Sequence, residues 1–459
     1  MSYPGLILIA VSTVGVTAAA EIPSDPLDEF LRDIDSRVER LEAENRSLRS
    51  QLYGLTSAPG RVRLPNWDEH PIEFAGRIHI DWWTFPGDSP GVNAFETGST
   101  ADTPQDRLEL RRARFAAFGD LPGQMEYKLD LELSEASNPE FRDLYIGWKD
   151  IPAIGGAIRF GNQKRPYGLD HLNSSNFNVF MERPLVVQAF NRNNRRFGAQ
   201  WYGVSEDEAW NWRLGGFNLD EIQDNGVYIS DHYQGEIAGR LARTIGEISE
   251  PSEYLHLAVS SSFAIPDGTA APPRAINQAR FRTEPEARST VQWLDTGMID
   301  GANRFGLVGL ECVANYGPFQ FTGEHLNLWL GRESGFGPPV HFHGGYAQVA
   351  WFLTDHYQPW NRKLGTIGRV RKIGDTEACP KPFGHAWQVA VRWSYADLSD
   401  DDVLGGVGQN VTAGVNWYWT RRARMQFNCI HGDIGSHFPV DGQTEGTFTA
   451  LGTRVLIDF

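Results

Sequence analysis

The chain is poor in the residues that most chemistries lean on. Only three cysteines occur, Cys312, Cys379 and Cys429. No two stand at metal-ligand spacing, and an odd number leaves no complete disulfide set, so they read as incidental thiols. Past residue 20 no apolar run is long enough for a membrane helix. If the chain crosses a membrane, it crosses as strands. Positive charge is scarce too, with 42 Lys and Arg against 58 Asp and Glu and a net charge of −16. That field argues against a nucleic-acid partner. Nucleophile elbow, P-loop, zinc motif and dinucleotide fingerprint are all missing. His341-Phe342-His343 puts two imidazoles on one strand face, but no third ligand is near in sequence, so no metal is expected. No cofactor and no enzymatic activity are expected either.

Glycine is abundant at 48 residues and tryptophan at 15, while mean hydropathy is only −0.39. Many aromatics with little overall hydrophobicity fit apolar residues spread over many short strands, as in a membrane barrel, where only alternate residues face lipid. The N-terminus, LILIAVSTVGVTAAAEIPS, reads as an export signal over residues 1–20. Its apolar stretch runs from Leu6 to Val16, and Ala18, Ala19 and Ala20 supply the small residues before a cut after Ala20. It departs from the usual pattern in having no Lys or Arg ahead of the apolar stretch.

Residues 21–57 are expected to form a periplasmic coiled coil. Leu27, Leu31, Ile34, Val38, Leu41, Asn45, Leu48, Leu52 and Leu55 alternate spacings of four and three, a 3.5-residue repeat that makes helices supercoil. Asn45 is a polar residue at an a position, which fixes register. Arg37, Val38, Leu41 and Glu42 match a trimer pattern in which the arginine and glutamate pair between helices across the apolar seam. An Asn at an a position also suits a dimer. Pro59, Gly60 and Pro65 mark 58–70 as a linker.

From residue 71 to 459 the period changes to two. Tyr127, Leu129, Leu131 and Leu133 alternate with Lys128, Asp130 and Glu132. Trp387, Val389, Val391 and Trp393 form another such face, as do Ala347, Val349, Trp351 and Leu353. Tryptophan and tyrosine recur at strand ends, as interface girdles require. Long polar loops are expected at 86–106, 264–290 and 396–409. The last strand, TFTALGTRVLIDF, carries Leu451, Val455, Ile457 and Phe459 on one face and Gly452, Arg454 and Asp458 on the other, with Leu456 as the exception. A terminal Phe459 on an amphipathic last strand resembles the signal read by the barrel-assembly machinery. About 16 strands of ~10 residues fit within this region. The expected fold is all-β: a transmembrane antiparallel barrel of about 16 strands with an N-terminal α-helical coiled coil.

Several stretches, in order, resemble the phosphate-selective porin O and P family. They include FAGRIHIDWW (74–83), RRARFAAFGDLPGQMEYKLDLE (111–132), FRDLYIGWKDIP (141–152), IRFGNQKRPYGLDHLNSSNFNVFMER (158–183), NRRFGAQWYG (194–203) and GGYAQVAWFLTDHYQPW (344–360). The resemblance implies a trimeric, 16-stranded channel of the bacterial outer membrane whose third loop folds inward and narrows the pore. Over 159–196 the chain holds seven Arg or Lys and two acids, a local charge of +5. By position this is the constriction loop, with Lys164, Arg165, Arg183, Arg192, Arg195 and Arg196 as its anion-binding candidates. Basic groups in a narrow pore attract anions, and arginine grips phosphate through two bonds. Strand alternation adds Lys128, Arg142, Arg159 and Arg392 to the pore wall, among the acids Asp130 and Glu132. Those acids, with Glu109, could be imagined as glycosidase carboxylates, but lumen-facing charge explains them more simply. The family's phosphate selectivity is attributed to an arginine ladder and a lysine cluster at the constriction. Here Lys164 is the loop's single lysine, which leaves phosphate selection open.

The expected function is passive diffusion of small hydrophilic solutes, small anions first among them. The expected partners are outer-membrane lipid, the barrel-assembly machinery and two further copies of the chain. Two alternatives stand beside it: a structural outer-membrane anchor with a periplasmic coiled coil, and an exported soluble carbohydrate-binding β-protein.

Overall fold

A computed structural model describes Arg37, Arg61 and Val62, and residues 71–459 except 136–137, 192–193, 223–233, 248, 267–276 and 376–380. The export signal, the linker around 63–70, Cys379, Arg192 and the coiled-coil positions Val38, Leu41, Glu42 and Asn45 lie outside the described residues; Arg37 alone of that segment is described, in a helix.

Sixteen antiparallel strands form the wall: β1 (Ile72–Asp88), β2 (Arg107–Leu121), β3 (Met125–Glu132), β4 (Glu140–Ile151), β5 (Gly156–Lys164), β6 (Arg195–Val204), β7 (Trp210–Asn218), β8 (Gly235–Ile245), β9 (Glu253–Ile265), β10 (Ala302–Tyr316), β11 (Phe319–Arg332), β12 (Val340–Phe352), β13 (Ala386–Asp400), β14 (Val403–Tyr418), β15 (Ala423–His437) and β16 (Gly446–Asp458). Each pairs with its neighbours in sequence, and β1 closes the ring on β16 through pairs such as Arg77–Asp458 and Asp81–Arg454. Closure removes the exposed edges that would otherwise template aggregation. No described helix is long and apolar enough to cross a membrane.

The two-residue period decides what each face carries. Val391 and Trp393 on β13, Val349 and Trp351 on β12, and Leu451, Val455 and Ile457 on β16 project outward and are exposed. Between them Arg392, Ser394, Gln348 and Arg454 point inward and are buried. An apolar outside with a polar inside is the reverse of a soluble barrel and matches a wall solvated by lipid. Leu456 breaks the sequence alternation and is indeed inward and buried.

The two rims differ. At the near rim, where β1 starts and β16 ends, six of the connections are only two to seven residues long. Turn chemistry explains the tightest, Gly317-Pro318, where Gly317 has φ 54°, a conformation that costs glycine nothing. The far rim carries the long loops at 89–106, 165–194 and 266–301. The expected loop at 396–409 is not one: β13 and β14 run through it and turn on Asp401-Asp402 alone, with Asp400 opposite Val403. Polar composition there reports strands continuing past the apolar band into water.

Two loops fill much of the lumen. Loop 165–194 holds two short helices, α1 (Leu169–Leu172) and α2 (Leu185–Phe190). With loop 266–301 it buries Leu185, Val186, Trp293 and Leu294 against Phe342, Ile434 and Phe448 of the wall. The near rim has one long exception, residues 353–385, of which the stretch 361–369 enters the barrel from the opposite side to loop 165–194.

Candidate functional site

Loop 165–194 is stitched across the lumen by polar groups of distant strands. Glu182 accepts from Arg111 (2.8 and 3.0 Å) and Arg454 (2.8 Å), and Arg454 also grips Asp81 (2.6 Å on each oxygen). Asn416 and Gln426 both donate to the Val179 carbonyl at 2.9 Å, and Arg424 donates to Asn178 O at 2.7 Å. Arg392 holds Glu182 O (3.0 Å) and the Glu286 carboxylate. At the loop's root Glu324 accepts the backbone N–H groups of Leu169 and Asp170 and the Tyr346 hydroxyl, each at 2.7 Å. Burial alone would raise the pKa of Glu182, but Arg111 and Arg454 outweigh it and hold the carboxyl well below its usual range.

The segment at 353–385 meets this loop from below. A hairpin pairs Trp360–Asn361 with Thr366–Ile367. At its tip Gly365 (φ 61°) lies against Arg240 and Asn211; a Cβ there would come within 2.9 Å of both side chains. Ile367 N–H reaches Asn173 Oδ1 at 3.0 Å, and the Trp360 ring sits 4.1 Å from that of His256. Arg369 pairs with Asp458 (2.9 Å) and lies 5.3 Å from the Phe177 ring.

A cavity of about 1120 Å³ lies between these segments and the inner face of β1–β7. Thirteen Arg or Lys and eight Asp or Glu line it, a formal excess of five cations in a chain whose net charge is −16. Two β-bulges raise the charge density. In β2 the register slips so that His79 faces Arg112 and Ile80 faces Leu110, leaving Arg111 as the extra residue. Leu108 and Leu110 therefore point outward on one side of the bulge and Phe115 on the other, while Arg111, Arg112 and Arg114 all line the cavity. In β4 two residues, Arg142 and Asp143, oppose the single Asp130, and both line the cavity while Phe141 and Leu144 face out.

The sequence profile of the family described as phosphate-selective porin O and P matches residues 73–452. The chain belongs to that family. It is an outer-membrane porin of bacteria, a channel by family and fold. Porin O of Pseudomonas aeruginosa is 23% identical over 381 residues, covering 76% of this chain and 80% of that protein. Among solved structures, an anion-selective porin from Comamonas acidovorans matches with a TM-score of 0.50 at 13% identity, over 85% of this chain and 100% of that one. The trimer form of OmpT, an outer-membrane protein of Vibrio cholerae, matches with a TM-score of 0.50 at 10% identity, over 85% and 100%.

The porin's cavity gathers some of the residues expected from sequence. Lys128, Arg142, Arg159, Lys164, Arg183 and Arg195 line it. Most are engaged: Lys128 and Arg195 share Asp143, Arg183 pairs with Asp170, Arg142 with Glu140 (2.9 Å), and Arg159 with Glu126 (2.7 Å) between the rings of Tyr145 and Tyr202. Lys164 donates to the carbonyls of Leu172 (2.7 Å) and Asn173 (2.9 Å). Three others are placed away from the lining. Arg165 is buried against Glu236 (2.8 Å), Arg196 bonds the Leu219 and Arg195 carbonyls, and Arg392 is buried under loop 165–194 over the Phe180 ring. Sequence reasoning missed Arg77, Arg112, Arg114 and Arg213. Simple alternation could have found Arg77 and Arg114. Arg111 and Arg112 are adjacent, so alternation would have sent one of them outward.

His341 and His343 do stack, with ring centroids 5.3 Å apart, on a face shared with the exposed Trp329. Among the described residues no group of three His, Cys, Asp or Glu is placed to hold a metal.

Proposed function

We propose that this porin is a homotrimeric diffusion channel that prefers small anions, with phosphate among them. The observation that carries the reading is the excess of cations lining the lumenal cavity. Pairing sharpens it. Among the described residues, Arg77, Arg112, Lys164 and Arg213 have no carboxylate within ion-pair distance, so their charge is not cancelled locally. Fixed cations in a narrow, partly desolvated passage raise the local anion concentration.

Within the passage one place suits a tetrahedral oxyanion. Arg77 stands opposite Arg114, which Glu132 holds at 2.6 Å, and Arg77 Nη1 is 3.0 Å from Ser175 Oγ and 3.3 Å from Ser174 Oγ on the inserted loop. Guanidinium and hydroxyl donors together are what phosphate oxygens need. In this reading Lys164 sets the field of the constriction, while Arg183 and Arg195 beside it are held by Asp170 and Asp143. Arg165, Arg196 and Arg392 brace the loops.

Assembly belongs to the same proposal. The wall from β3 to β7 is low, with β3 of eight residues and β5 and β7 of nine each. A membrane strand needs about 9–11 residues; β3 falls short of that and β5 and β7 only just reach it, which makes this side the candidate for contact with other copies. Residues 21–57 would join three chains through the seam that includes Arg37, Val38, Leu41, Glu42 and Asn45, after removal of 1–20 and ahead of a linker at 58–70. Phe459, exposed and bonded to Gly76 through both backbone groups, would be the mark read by the barrel-assembly machinery.

The test is the reversal potential of single channels under a KCl gradient, repeated with phosphate. Anion preference with block by phosphate is expected, weakened by joint Arg77→Ala and Arg112→Ala substitution. Cation preference, or none, would overturn the anion reading. Absence of conductance would favour the structural anchor.

A further inference from the structure

We propose that the outer wall of this porin carries a built site for one phospholipid, with its phosphodiester on Arg243 and an acyl chain in a hollow across β8–β11. The inference rests on the outward face lying in the outer membrane and is independent of which solute the lumen passes. The hollow has a volume of about 650 Å³ and is lined outward by Leu241, Leu257, Val259, Leu310 and Phe321. Its floor exists because Gly323 has no side chain: it sits between outward Phe321 and outward His325, and a Cβ there would come within 3.2 Å of Tyr346 O and 3.3 Å of the Phe321 ring. An unfilled apolar hollow lacks contact atoms on its open side, which an acyl chain supplies.

Arg243 gives the hollow a polar end. It projects outward from β8 between Leu241 and Ile245, both 47% exposed, so it stands on the lipid-facing side. It is opposite Trp210 and Leu257 in register, and its guanidinium lies 5.2 Å from the Trp210 ring. No carboxylate lies within ion-pair distance among the described residues. Ile245, two residues on, ends the strand at the near rim, where the short turns are; short turns mark the periplasmic side. An arginine and a tryptophan at that level stand among lipid headgroups. A planar guanidinium pairs with two phosphate oxygens. The order along the wall is therefore cation at the rim, then apolar trough toward the membrane centre, which is the order of a phospholipid.

Native mass spectrometry of the intact porin, released from detergent after incubation with phosphatidylglycerol, tests this. Wild type should retain the lipid, and should retain a diacylglycerol of the same chains, which lacks the phosphate, much less. Arg243→Gln should weaken retention about fivefold, the worth of one basic contact at a membrane surface. Gly323→Leu should fill the trough and reduce retention of both lipids; Gly323→Ala serves if the larger side chain prevents folding. Equal retention by wild type and Arg243→Gln would overturn the headgroup assignment. If Gly323→Leu splits the oligomer while leaving lipid retention unchanged, the hollow is a subunit contact and the proposal fails.

Discussion

Arg112 and Arg454 both face the lumen, from β2 and β16 on either side of β1, and their surroundings could hardly differ more. Arg112 borders the cavity, with His79 Nδ1 at 3.3 Å as its polar neighbour and, among the described residues, no partner for its Nε. Arg454 is enclosed by Asp81, Glu182 and the Met181 carbonyl. The same contrast divides the barrel. Most arginines of β1–β7 line the cavity, and among the described residues Arg77, Arg112 and Arg213 have no carboxylate within ion-pair distance. Those of the other wall lie beneath the inserted segments: Arg240 with Glu311, Arg392 with Glu286, Arg454 with Asp81. A lumenal arginine is thus not a fixed quantity. What packs over it decides whether it acts on solutes or on the fold.

The sharpest break of that comparison is Arg454→Ala. It leaves Asp81 and Glu182 buried with less compensation, and removing one partner of a buried pair costs about 3–5 kcal/mol. The folded, fast-migrating form on a gel should be lost at a clearly lower temperature, and single-channel conductance should rise as loop 165–194 loosens. An unchanged melting temperature would show that the latch carries no load. Arg112→Ala should do the opposite: little loss of stability, with a shift of the reversal potential toward cations. Lys128→Gln should shift the potential less, because Asp143 at 2.6 Å already cancels much of the Lys128 charge; an effect as large as that of Arg112→Ala would contradict this division. The smallest expected effect is on pH. Glu182 is held well below 4.5 in the folded chain, so its contribution is complete above the ordinary carboxylate range and is lost only as pH falls through the lower folded value. Conductance recorded from pH 7 to about 4.5 should show no loosening of the loop; a rise within that window would remove Glu182 as the latch.

Much of the barrel was legible in the residues. Tyr127 to Leu133 and Trp387 to Trp393 announce their strands because lipid on one side and water on the other leave a mark every second residue. The inward basic loop was legible as a local excess of charge. Its individual roles were not. Arg165 and Arg183 stand in one loop, each before a proline, yet one is buried against Glu236 and the other borders the cavity. The segment 353–385 gave no warning that it enters the lumen, since its polar and aromatic mixture is equally that of a surface loop. The loop expected at 396–409 failed for the converse reason, because strand pairing continued where composition had already turned polar.

By itself, then, the sequence determined the strand period, which face meets lipid, and the amphipathic last strand that closes the ring. These are local properties, written in neighbours two residues apart. Only the tertiary structure decided the bulges that turn Arg111 and Arg112 inward together, the descent of two segments into one lumen, and the division of its arginines between passage and brace. The reason is distance along the chain. Arg454 is neutralised by Asp81, 373 residues away, and Arg392 by Glu286, 106 away. Whether a charge stays free depends on partners that meet only when the barrel closes and its loops fold in.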